Sequence, residues 1–141
     1  MDLTPPKRHI SRMGQIVYSC QYLVSFSTKK HFPLFSKDIV KQCEKLIQST
    51  VANAYKTADG KGALDVLRLE VAPDMVTMIV DCPATLSIQS VVVHIKKKLA
   101  TALMDEFPCL VRQTSSIWTR SAFIATLPVE QDVLDKYHEV Y

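Results

Sequence analysis

Leu64-Asp65-Val66-Leu67-Arg68-Leu69-Glu70-Val71-Ala72-Pro73-Asp74-Met75-Val76-Thr77-Met78-Ile79-Val80-Asp81 decides the fold. Two β-branched, apolar runs, near Leu64–Val71 and Met75–Asp81, are separated by Ala72-Pro73-Asp74, too short a link for anything but an antiparallel hairpin. Alternation along the second run puts Met75, Thr77, Ile79 and Asp81 on one face and Val76, Met78 and Val80 on the other.

Working outward, apolar residues roughly alternate from Gln15 to Thr28 (Ile16, Tyr18, Cys20, Tyr22, Val24, Phe26), which predicts a half-buried strand. Ser36 is a candidate N-cap, and Ile39, Cys43, Leu46, Ile47 and Val51 repeat at helical spacing to about Tyr55. Thr57–Ala63, with Asp59, Gly60 and Gly62, reads as a loop. After the hairpin, Ser87 caps a second helix with an inner face of Val91, Val92, Ile95, Leu99, Ala102 and Leu103, ending before Pro108. Trp118–Leu127 is the fourth strand. Pro128 then stands at a helix's first turn, with Glu130 and Asp132 well placed against the helix dipole. Val129, Val133, Tyr137 and Tyr141 fall on one face of that last helix. The order β-α-β-β-α-β-α gives an α+β fold: a ferredoxin-like antiparallel sheet with an additional C-terminal helix.

The totals fit one domain. The chain has 141 residues, 48% of them hydrophobic and 22% charged, and a net charge of +3. That is enough chain for a real core, and a charge that permits nucleic-acid binding without arguing for it. No apolar run reaches the eighteen or so residues that span a bilayer, so no membrane role is expected. Residues 1–14 (two prolines, then Lys7, Arg8, His9 and Arg12) read as a flexible basic arm, and 15–141 as the single domain. Cys20, Cys43, Cys82 and Cys109 are scattered without metal-site spacing and read as free thiols in a reducing cytoplasm.

Several segments together resemble the single-tyrosine HUH transposases of bacterial and archaeal insertion sequences. Val17-Tyr18-Ser19-Cys20-Gln21-Tyr22 with Lys29 resembles their first strand and the basic turn after it. Glu70-Val71-Ala72-Pro73-Asp74 is similar to the approach to their His-hydrophobe-His motif. Glu106-Phe107-Pro108 followed by Trp118-Thr119-Arg120-Ser121-Ala122-Phe123 resembles the entry into their last strand. Val133-Leu134-Asp135-Lys136-Tyr137 resembles the helix that delivers the nucleophile.

The resemblance implies that Tyr137 is the nucleophile, that single-stranded hairpin DNA is the partner, and that the protein is a homodimer. It implies DNA contacts for Lys29, Lys96, Lys97, Lys98 and Arg120. In active relatives a divalent metal, Mg or Mn, polarises the scissile phosphate while the tyrosine attacks. Here the two histidine places hold Met75 and Thr77, and the third ligand place, usually glutamine, holds Tyr141. These side chains bind hard divalent ions poorly. No metal is therefore expected, and cleavage by the family route is expected to be lost.

Residues that could assemble a replacement site are Asp81, Glu70, Asp74 and His138. An active transposase using Tyr137 with such an unorthodox metal site, or a ferredoxin-like protein-interaction module, are the competing readings. An RNA-recognition motif is disfavoured because Met75–Asp81 lacks stacking aromatics.

Overall fold

A computed structural model describes residues 2–8, 10–35, 39–55, 64–108 and 116–141. The cap expected at Ser36, the loop expected over Thr57–Ala63, His9 and Cys109 lie outside the described residues. The elements are β1 (Ser11–Met13), β2 (Ile16–Tyr18), β3 (Gln21–Ser27), α1 (Val40–Ala54), β4 (Asp65–Ala72), β5 (Met75–Asp81), α2 (Ile88–Glu106), β6 (Phe123–Thr126) and α3 (Gln131–Val140). The main sheet runs β4-β5-β3-β6, antiparallel throughout. This is the ferredoxin-like layout, with α3 as the addition.

The hairpin forms as its sequence dictates, with Ala72 facing Met75 across a Pro73-Asp74 turn. One bulge, between Val66 and Arg68, shifts the register of β4. Beyond it, Glu70 stands opposite Thr77 and Ala72 opposite Met75.

Alternation splits the sheet into two faces, and each is covered. On one, Val24, Phe26, Val76, Met78 and Val80 meet Cys43, Ile47 and Val51 of α1 and Val91, Val92, Ile95, Leu99 and Leu103 of α2 in the larger core. Ser87 accepts a hydrogen bond from the Ser90 backbone N–H at 3.5 Å, as its capping role requires. On the other face, Leu23 and Ile79 meet Leu127 and Leu134 in a smaller core under α3. Burial pushes the thiols of Cys43 and Cys82 up to about 11, so both are inert core residues.

The structure differs from the sequence reading in four places. The strand expected over Gln15–Thr28 is divided. Ile16–Tyr18 turns back on Ser11–Met13 through Gly14, whose φ of +59° suits glycine, and only Gln21–Ser27 enters the main sheet. That strand is buried on both faces, not one, because α3 lies over Leu23, Ser25 and Ser27. The fourth strand is short. Trp118 makes an isolated bridge to Thr28, and regular pairing begins at Phe123. Finally, Pro128 follows a cis peptide bond and precedes α3, which starts at Gln131, so it is not in the helix's first turn.

The N-terminal segment is seen against the sheet. Leu3 packs on the smaller core, Arg68 donates to the carbonyls of Asp2 and Thr4, and Arg8 donates to the Ser19 carbonyl at 3.2 Å.

Candidate functional site

The face under α3 carries the polar residues. Register sets Glu70, Thr77, Ser25 and Phe123 side by side across four strands, with Ala72, Met75 and Ser27 in the next row. Ser25, Ser27 and Thr77 are buried. Buried hydroxyls need partners, since an unpaired one costs about 1–3 kcal/mol.

Those partners come from one another and from α3. The Thr77 hydroxyl lies 2.8 Å from Ser25 Oγ, and Ser25 Oγ lies 2.7 Å from His138 Nε2. Ser27 Oγ is 3.0 Å from His138 Nδ1. His138 therefore spans both serines, with each ring nitrogen engaged. Its burial, and to a smaller extent the charge of His31, lower its pKa from the usual histidine value, against the opposing pull of Asp74 and Asp135. A neutral imidazole suits the site because it donates through one nitrogen and accepts through the other.

Tyr137 is next along the helix. Its hydroxyl is 2.8 Å from Ser121 Oγ. Its ring lies against Phe123 at 5.3 Å, stacks on Tyr141 at 5.2 Å and meets the His138 ring edge-on at 4.9 Å. Half-buried, it is held at the hydroxyl end and on the ring. Tyr141 is 60% exposed and Val133 44% exposed, so Leu134, not Val133, anchors the helix.

Beside His138 a cavity of about 180 Å³ is lined by Glu70, Ala72, Met75, Thr77, Gln131, Leu134, Asp135 and His138. Met75 and Thr77 thus share one site with α3. Of the residues considered for a replacement site, Glu70 and His138 line this cavity. Asp74 instead pairs with His31 at 3.1 Å, and Asp81 sits opposite Gln21, two register pairs beyond Ile79 and Leu23.

Met75, Thr77, His138 and Tyr141 do not fit a hard divalent ion. Met75 offers a thioether, the Thr77 hydroxyl is bonded to Ser25, both His138 nitrogens are bonded to serines, and Tyr141 stacks on Tyr137, which leaves Glu70 and Asp135 as the carboxylates lining the cavity. Among the described residues, no three His, Cys, Asp or Glu side chains converge to hold a metal.

The basic residues fall into two kinds. Lys29, Lys97, Lys98 and Arg120 are exposed. Lys96 is turned inward: its Nζ donates to the Thr119 carbonyl at 2.6 Å and the Ser121 carbonyl at 3.2 Å, and sits 5.8 Å from the centre of the Phe26 ring. Burial lowers its pKa. The Trp118 indole donates to the Lys96 carbonyl at 3.0 Å. Lys96 thereby clamps the segment that carries Arg120 and Ser121, and Ser121 in turn holds Tyr137. The sequence reading missed the clamp, and it named His138 as a replacement metal ligand but not as the hydrogen-bond partner of Ser25 and Ser27. The spacing of Ser25 and Ser27, two hydroxyls on the strand face next to Thr77, was the available signal for the latter.

A sheet with Tyr137 on a C-terminal helix over the Met75 and Thr77 strand is now in view, and the profile of the family described as "Transposase IS200 like" matches residues 16–139. The chain belongs to the IS200-like transposase family. Two solved structures share its fold. A candidate transposase from Deinococcus radiodurans R1 aligns with TM-score 0.74 and 18% identity over 92% of this chain and 94% of its own. A REP-associated tyrosine transposase, solved bound to a REP hairpin, aligns with TM-score 0.51 and 11% identity over 94% of this chain and 67% of its own. No curated protein matches the chain. No helix among the described residues of this transposase-family member is long and apolar enough to cross a membrane.

Proposed function

We propose that this member of the family binds hairpin single-stranded DNA as a cytoplasmic homodimer but does not cleave it by the metal-assisted route. One observation carries the reading: the residues at the ligand places are chemically unsuited to a divalent ion and are tied up by the protein itself. Met75 is a thioether, Thr77 is bonded to Ser25, and Tyr141 stacks on Tyr137. Without an electrophilic partner for the phosphate, tyrosine, whose ordinary pKa is near 10, is a weak nucleophile at neutral pH. The loss removes several kcal/mol of transition-state stabilisation.

DNA binding is supported by what is kept. Lys29, Lys97, Lys98 and Arg120 stay exposed, and Lys96 holds the backbone on both sides of Arg120. The structural neighbour solved with a REP hairpin lends the substrate class.

The test is fluorescence anisotropy with labelled hairpin and duplex oligonucleotides across salt concentrations, with a denaturing gel for covalent adducts run alongside. The expected result is salt-dependent, hairpin-preferring binding and no adduct in manganese. An adduct that disappears in Tyr137→Phe establishes the competing reading, an active transposase. That reading draws on the Tyr137 hydroxyl being held in place by Ser121. Absence of any nucleic-acid binding would leave a protein-interaction module.

A further inference from the structure

The hydrogen bonds of His138 do more than satisfy a buried ring. In the resembling transposases the metal's ligands come from the central strand and from the C-terminal helix, so the ion also fastens one element to the other. In this chain Met75 and Thr77 stand at the strand places, Leu134 packs against Ile79 of the same strand, and the α3 side chain that hydrogen-bonds beside Thr77 is His138. We propose that His138 replaces the metal as the fastening between α3 and the sheet, making it a positioning residue for Tyr137. The inference rests on the reading that Met75 and Thr77 occupy the former ligand places.

Three features of the geometry support this assignment. α3 spans ten residues, below the length at which a helix is stable alone in water, so it depends on tertiary ties. Its one buried residue, Leu134, lies in its first half. The second half, which carries Tyr137, is held to the sheet by the hydrogen bonds of His138 to Ser25 and Ser27 and by the Tyr137 ring against Phe123, and to the 119–121 segment by Ser121.

The chemistry is also self-consistent. Ser25 and Ser27 are alternate residues of one strand, so their hydroxyls project from the same face and meet the two ring nitrogens. A hydroxyl can donate or accept, so either tautomer of neutral His138 is satisfied. Ser25 hands its remaining hydrogen-bonding capacity to Thr77, where a strand ligand would otherwise stand. With each ring nitrogen committed to a serine, His138 fastens the helix and has no lone pair to offer an ion.

The experiment is amide hydrogen exchange on the full chain, read by mass spectrometry on peptides from α1, α2 and α3. In the wild type, protection of α3 is expected to be the same in EDTA and in manganese. In His138→Ala, the second half of α3 is expected to exchange roughly tenfold faster or more, with α1 and α2 unchanged. His138→Gln, which keeps a neutral donor and acceptor, should recover part of the protection. Ser27→Ala removes one partner only and should give a smaller acceleration confined to α3, which keeps the test alive if His138→Ala does not fold. Manganese-induced protection of wild-type α3 overturns the proposal, as does α3 exchange unaltered by both His138→Ala and Ser27→Ala. No DNA enters this measurement, so a failure here is distinct from a failure to bind hairpins.

Discussion

Placing histidines at Met75 and Thr77 is the sharpest perturbation this site allows. Met75 and Thr77 are two apart on β5 and project from the same face, beside a cavity of about 180 Å³. The double variant Met75→His/Thr77→His sets two imidazoles next to one another, with the Glu70 carboxylate lining the same cavity. Without metal the variant should be less stable than the wild type. It loses the 2.8 Å Thr77–Ser25 hydrogen bond, about 1 kcal/mol, and forces a larger ring into a buried position, about 1–3 kcal/mol where the cavity does not absorb it. With free manganese at about a hundred times the dissociation constant, binding to the folded state returns about 2.7 kcal/mol. At roughly 4 °C per kcal/mol for a domain of this size, Tm should rise by about 10 °C and fall back on adding EDTA. The wild type should show no such rise. Thermal scans of both proteins over a manganese series decide the matter. A double variant that folds but stays indifferent to manganese refutes the claim that these two positions have ligand geometry. A wild-type rise of similar size refutes the claim that the present donors cannot hold an ion.

Three further outcomes follow from the same geometry. Lys97→Ala/Lys98→Ala should weaken hairpin binding and lower the salt slope by about 1–1.5, roughly 0.7 for each phosphate contact on a single strand, whereas Lys96→Met should show up as lost thermal stability because it strips the charged donor from two carbonyls. Leu134→Ala should cost about 3 kcal/mol in urea unfolding, since the side chain is buried among Leu23, Ile79 and Leu127, while Val133→Ala on the exposed side should change stability by less than about 0.5 kcal/mol. Because the pKa of His138 is lowered in the folded protein, the unfolded chain binds the proton more readily. Its contribution to stability is therefore present above about pH 6.5 and is lost as pH falls through the folded pKa; unfolding measured from pH 7 downward should show this decline, reduced in His138→Gln.

Where one face of an element decides its packing, the sequence was readable. The hairpin from Asp65 to Asp81 and the inner face of α2 follow directly from period-2 and helical spacing. The dual burial of β3 was not, because Ser25 and Ser27 look like solvent-facing residues until a partner from the other end of the chain covers them. The same separation hid the serine partners of His138, which lies 113 residues from Ser25, so the histidine was legible as a candidate ligand and not as a fastening. The face assigned to α3 was off by one residue because Val133 and Leu134 are equally apolar neighbours, and only the position of Leu23 and Ile79 selects between them. Lys96 was hidden for a related reason. In a run of three lysines, helical geometry alone turns each to a different direction, and only the carbonyls of Thr119 and Ser121 single out the one that points in.

The polar residues at this site support one another. A buried hydroxyl on this face would by itself be an unpaired polar group. Here Thr77 finds Ser25, Ser25 finds His138, and His138 finds Ser27, so the buried hydroxyls of this face are mutually satisfied. A second chain of contacts runs from Lys96 to the Ser121 carbonyl and from the Ser121 hydroxyl to Tyr137. The two chains meet at adjacent residues of α3, Tyr137 and His138, and fix the tyrosine from both sides. The α3 face is thus held in place by hydrogen bonds, as the proposed binding of DNA or of a second copy of the chain requires.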